Sequence, residues 1–198
     1  ISTPRYFPSF LNLNLNVIVM QNYKDFQLEQ DFKNIKDKNA LNLLEKLHNF
    51  QYDFQIFSHP PLRTVEEAKK FRKNFEGGFT KNLFLRDKKK KNFLITLEEN
   101  QPINLKELPQ IISSDRLSFA SPERLFEFLK VIPGSVSPLS LINDKELEVS
   151  FFIDTNLLRN EKLNFHPLIN TLTISILYKD FLKFLDFTKH KLNYLNLN

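Results

Sequence analysis

Apolar residues along this chain recur with two periods, and the switches between them outline the elements. Leu41, Leu44 and Leu47 stand at helical spacing and predict an amphipathic helix over residues 40–47. Residues 53–58 alternate through Phe54 and Ile56 as a short strand, stopped by His59-Pro60-Pro61. Thr64-Val65-Glu66-Glu67 sets an N-cap threonine three residues before a glutamate. Such a capping box predicts a helix to about Phe75, which Gly77-Gly78 ends. Residues 80–86 and 93–97 are β-rich and joined by Asp87-Lys88-Lys89-Lys90-Lys91, which reads as a hairpin.

Further on, residues 104–112 predict a short helix and 116–120 a strand. Ser121-Pro122-Glu123 opens another helix, with serine as cap and proline at its first position, and Phe126 and Leu129 on its inner face. Pro133 to Pro138 is a loop, after which 139–142 resume an apolar strand. Strands follow over 147–153, 163–165 and 172–177, and a last helix over 179–189 carries Phe181, Phe184 and Leu185 on one face. Six or seven strands interleave with four or five helices without a strict βαβ period. The expected fold is a single α+β domain with a mixed, largely antiparallel sheet flanked by helices.

Composition narrows the chemistry. At 198 residues with 41% hydrophobic and 26% charged side chains, the chain can bury a full core. It has no Cys, which excludes disulfide scaffolds, thiolate nucleophiles and Cys-bearing zinc sites. His48, His59, His166 and His190 lack metal-ligand spacing. Three glycines, at 77, 78 and 134, are too few for a dinucleotide fingerprint or a P-loop. The net charge of +5 permits a polyanionic partner, although 21 Phe and no Trp point to codon bias that also inflates lysine.

Residues 1–19 hold one charge, Arg5, and the alternation Leu11-Asn12-Leu13-Asn14-Leu15-Asn16, which interrupts any membrane span or signal core. They could form one half-buried strand; the preferred expectation is a non-native leader before a domain of residues 20–198 that starts at Met20. A soluble, cytoplasmic protein without membrane association is expected.

Four features carry candidate chemistry. The tetralysine run 88–91 could touch phosphates or simply be a solvated hairpin tip. Gly134-Ser135-Val136-Ser137-Pro138 has the outline of a G-x-S-x-G elbow, but its last position is Pro and a strand is expected next, so the elbow geometry fails. A Gly-opened, Pro-closed loop can instead hold backbone groups rigidly against a substrate. His166-Pro167 follows a strand, as a structural or a chemical histidine. Lys81 begins an apolar strand, where burial calls for an anionic partner unless the side chain snorkels.

Taken as a series, His59-Pro60, Thr64 to Ala68, Gly78 to Asp87, Pro133 to Pro138 and Phe165-His166-Pro167 with Asn170-Thr171 resemble the YbaK-like aminoacyl-tRNA deacylases. Within that family they are most similar to the free-standing prolyl-tRNA editing proteins that act on alanyl-tRNA(Pro). The resemblance runs from about Gln51 to Lys189. It implies a metal-independent ester hydrolase without cofactor, clearing mischarged tRNA(Pro) at its acceptor end, with transient association with prolyl-tRNA synthetase. It implies catalytic roles for Lys81, Gly134 and His166, with Lys81 on the terminal phosphate. Substrate contacts fall to Thr64, Val65, Asn82, Ser135, Val136, Ser137 and Pro138. Deacylases for Cys-, Ser- or Thr-tRNA, or a non-catalytic tRNA-binding module of the same fold, are the alternatives.

Overall fold

The computed structural model describes residues 27–28, 35–61, 69 and 76–197. Residues 1–19 and the capping-box helix with Thr64 and Val65 lie outside them. Nine strands form one mixed sheet: β1 Gln27–Leu28, β2 Phe54–Ser58, β3 Gly78–Arg86, β4 Asn92–Glu98, β5 Ser118–Phe119, β6 Val149–Asp154, β7 Lys162–Phe165, β8 Leu172–Leu177 and β9 Leu192–Leu195. The order is β1-β2-β8-β7-β3-β4-β6-β9, with β5 added to β3. The β3–β7, β4–β6 and β6–β9 pairs are parallel and the other five antiparallel.

Alternation along the strands separates two cores. On one face Ile56, Phe84, Leu94, Phe151, Ile153, Phe165 and Ile174 pack under three helices. These are α1 (Lys38–Asn49), α3 (Pro122–Leu129) and α4 (Tyr178–Thr188), through Leu44, Leu47, Leu125, Phe181 and Phe184. On the other face Leu85, Phe93, Ile95 and Leu97 meet α2 (Leu108–Ile112) through Leu108 and Ile112. The β3–β4 hairpin runs through the middle of both layers, so residues on it are placed by the whole sheet.

Local signals act as expected at several ends. The Asp37 carboxylate accepts from Ala40 N–H at 2.9 Å to start α1. Ser121 Oγ accepts from Arg124 N–H at 3.3 Å to start α3, with Pro122 first in the helix. Three expectations are corrected. Among the described residues nine strands replace six or seven, because β9 and the two-residue β1 pair only through distant partners. Residues expected as a strand over 139–142 form the 3-10 helix Pro138–Asn143, opened by Ser137, whose Oγ accepts from Leu139 N–H at 3.2 Å. The strand expected over 147–153 begins only at Val149, because Leu147 takes a φ of 57° in the turn before it.

Candidate active site

The sheet is incomplete beside β3, and the candidate residues lie at that gap. β4 pairs with β3 from Thr80 to Arg86. On its opposite edge, β3 pairs with β7 only at Gly78 and Phe79, and with β5 only at Leu85 and Arg86. β7 stops at Phe165 because Pro167 follows, and a proline has no N–H to continue a ladder. Between these contacts the edge of β3 at Thr80–Leu83 pairs with no strand among the described residues.

Register then divides the two adjacent candidates. Phe79 is aligned with Asn164, so Lys81 lies on the face that carries Asn164 and, by the same alternation, His166. Asn82 lies on the other face with Thr80 and Thr96. There the Thr96 hydroxyl donates to Asn82 Oδ1 at 2.7 Å, and Asn82 Nδ2 donates to Thr80 Oγ1 at 3.4 Å. Thr96 is wholly buried, so the Asn82 amide is oriented from beneath the sheet. The Lys81 ammonium donates to Gln101 O, in the turn after β4. Among the described residues Lys81 forms no ion pair.

Asn164 ties the gap closed at its base. Its Nδ2 donates to Glu76 O at 3.0 Å and Gly78 O at 3.4 Å, while Thr80 Oγ1 donates to Asn164 O at 3.0 Å. Two carbonyl acceptors fix the amide orientation, since a flipped amide would set oxygen against oxygen. Its Oδ1 is buried without a hydrogen-bond partner.

Beyond β7 the loop to β8 carries the histidine. His166 Nδ1 donates to Leu172 O at 2.7 Å, which leaves Nε2 as the acceptor of the neutral ring. Leu168, at a φ of 67°, turns the loop back on itself. His59 docks against it: the His59 N–H donates to Thr171 O at 3.0 Å, and the two imidazoles lie 5.9 Å apart. His59 Nδ1 donates to Pro60 O at 2.8 Å, and its Nε2 is hydrogen-bonded to the Thr173 hydroxyl at 3.0 Å.

Gly134 reaches the same loop, and both loops pack on one core, through Val131 and Leu139 on one side and Phe165 and Leu168 on the other. At a φ of +89°, a β-carbon there would touch Asn170 Nδ2 at 3.5 Å. The Ser135 N–H is spent on Ile132 O at 3.0 Å, and Ser135, Ser137 and Pro138 are buried. Ser137 caps the 3-10 helix, and its carbonyl accepts from Ser140 N–H at 3.0 Å. A cavity of about 500 Å³ opens beside Asn170, between His59, Thr171 and the start of α1 at Ile35 to Asp37.

The structure therefore gathers the His166 loop, His59 and the Gly134 loop at the end of β7, and sets Lys81 and Asn82 on the neighbouring gap. The lysines at 88–91 are exposed at the far turn of the β3–β4 hairpin, where Lys89 pairs with Asp115 at 3.3 Å. His59, Asn164, Asn170 and Thr173 were not singled out as site residues. Asn164 could have been, as one polar residue within the apolar run Leu163-Asn164-Phe165. Among the described residues no three His, Asp or Glu cluster as metal ligands, and no helix is long and apolar enough to cross a membrane.

Lys81 beside the open strand edge and the His166 and Gly134 loops at the end of β7 make up the candidate site. The model of the aminoacyl-tRNA editing domain matches residues 59–184, and the chain belongs to that family. The chain is 36% identical over 139 residues to the prolyl-tRNA editing protein ProX of Acetoanaerobium sticklandii, covering 70% of this chain and 85% of that protein. It is 38% identical over 149 residues to prolyl-tRNA synthetase associated domain-containing protein 1 of Mus musculus, covering 73% and 88%. The fold matches the crystal structure of a candidate trans-editing enzyme for prolyl tRNA synthetase, with a TM-score of 0.61 at 17% identity over 82% of this chain and 99% of that one.

Proposed function

We propose that this protein removes alanine from mischarged tRNA(Pro) in trans, by hydrolysing the ester between the amino acid and the terminal ribose. The observation that carries this reading is the Lys81 ammonium at the gap in the sheet, among the described residues without a carboxylate partner. Lys81 holds the phosphate of the terminal nucleotide and so sets the ester against the His166 loop. Water adds to the ester carbonyl carbon, the bond to the ribose oxygen breaks, and the products are free alanine and a ribose hydroxyl that takes up the proton. An aminoacyl ester is already activated, so a placed water and stabilised charge suffice without a metal.

Selectivity comes from size. A synthetase pocket built for proline admits the smaller alanine, because each methylene yields only about 1–3 kcal/mol of discrimination. The second, smaller pocket is walled by the Gly134–Pro138 loop and by His166. Substrate supply places the protein where translation occurs, in transient contact with prolyl-tRNA synthetase.

The test charges tRNA(Pro) separately with alanine, cysteine, serine, threonine and proline. Alanine should be released fastest and proline retained. Faster release of another residue would reassign the substrate, and release of none would leave a tRNA-binding module.

A further inference from the structure

The bare edge of β3 offers a recognition element that no side chain supplies. Glu99 N–H donates to Phe79 O at 3.0 Å, and Asp87 N–H donates to Lys91 O at 3.1 Å. These two bonds bracket the hairpin and show that odd-numbered residues from 79 to 87 turn their backbone groups toward β4. Backbone polar groups alternate sides along a strand, so those of Thr80, Asn82 and Phe84 face the other way. Phe84 O is taken by Ala120 N–H at 3.1 Å, where β5 begins to pair. The β7 ladder ends at the Phe79–Asn164 pair. Asn82 falls between, and among the described residues no strand pairs with it on that edge.

A half-buried N–H and C=O pointing the same way on one residue form a two-point site. In an antiparallel hydrogen-bonded pair, two facing residues exchange both bonds. An aminoacyl group carries the same two functions, an ammonium donor and a carbonyl acceptor, on one α-carbon.

We propose that the Asn82 main chain binds the aminoacyl group as a one-residue strand filling the gap. Asn82 C=O accepts from the α-ammonium, and Asn82 N–H donates to the ester carbonyl oxygen. The inference rests on the deacylase reading above and assigns its amino-acid subsite. The half-buried bonds from Thr96 to Asn82 and from Asn82 to Thr80 hold that backbone in place. The N–H lies where charge grows as water adds, so it favours the transition state over the ester. Proline fits poorly, since its ring carbon replaces one ammonium hydrogen and fixes the direction of the remaining two.

The test is amide hydrogen exchange followed by NMR on the 15N-labelled full chain. The probe is an acceptor minihelix of tRNA(Pro) carrying alanine through a 3′-amide, which keeps both recognised groups and resists hydrolysis. In the free protein the Asn82 amide should exchange about 100-fold faster than those of Lys81 and Leu83, which are bonded to β4. The bound minihelix should slow Asn82 exchange by about tenfold or more. A minihelix whose alanine is replaced by propionate, lacking the ammonium, should bind more weakly.

Equal protection of the three amides in the free protein would overturn the proposal. So would binding that shifts the His166 and Gly134 resonances but leaves Asn82 unchanged. Failure of the amide to bind a chain that deacylates alanyl-tRNA(Pro) would overturn it too, because the probe keeps both groups. Loss of alanyl-tRNA(Pro) deacylation itself would instead remove the reading on which it rests.

Discussion

Gly77→Ala should damage the protein more than any alanine replacement at its other glycine of positive φ. Gly77 has a φ of +94°, and a β-carbon there would lie 2.8 Å from Lys162 O and 3.0 Å from Asn164 Nδ2. Left-handed backbone costs an L-residue about 1–2 kcal/mol. Overpacking against the β7 backbone, which cannot step aside as a side-chain tip can, adds about 1–3 kcal/mol. Reduced freedom of the unfolded chain returns only about 0.4–1 kcal/mol. A net loss of about 2 kcal/mol or more is expected.

Gly134→Ala is the internal control. Its φ of +89° carries the same backbone strain, but its β-carbon meets only Asn170 Nδ2, at an ordinary 3.5 Å. It should lose about 1 kcal/mol. Urea unfolding of both variants, with unchanged m-values, separates strain from close approach. Gly77→Ala no less stable than Gly134→Ala would refute the claim that Gly77 lets β3 and β7 meet at the base of the gap.

Two further outcomes follow from buried polar groups. Thr96→Val keeps the side-chain shape but strips the donor from Asn82 Oδ1; stability should fall by about 1–3 kcal/mol, and a loss below about 0.5 kcal/mol in urea unfolding would mean the bond does not hold Asn82. Asp144 is buried, which would raise its carboxyl, but bonds from His190, Glu148 N–H and Val149 N–H hold it below its ordinary value of 3.8. The stability this contributes is complete above 3.8 and is lost as pH falls through the lower folded-state value. The stability gap between wild type and Asp144→Asn should therefore close in acid, and a gap independent of pH would exclude the carboxylate as its source.

What the sequence revealed followed how local each signal is. Ser121-Pro122 was legible as a helix start because the cap bond spans three residues. Ser137-Pro138 carries the same signal, yet the buried run Leu139 to Ile142 suggested a strand; buried apolar runs lack a period, and the cap decided the outcome. β9 was missed because Leu192-Asn193-Tyr194-Leu195 is short and is made a strand by its pairing with β6.

The site divides in the same way. Motifs named Lys81, Asn82, Gly134 and His166 as candidates, but motifs do not say that Lys81 and Asn82 face opposite sides of the sheet. That follows from the register of β3 on β4 and β7, as does the unpaired edge between them. His59 was visible as the stop of β2, and its contact with His166 depends on the β2–β8 and β7–β8 pairings.

The deacylation rate of alanyl-tRNA(Pro) by wild type and by Lys81→Ala, beside prolyl-tRNA(Pro), tests the central claim most directly. Wild type should strip alanine and spare proline, and Lys81→Ala should lose about 100-fold or more of that rate while remaining folded. Equal loss of both amino acids, or a Lys81→Ala protein as active as wild type, would contradict the account.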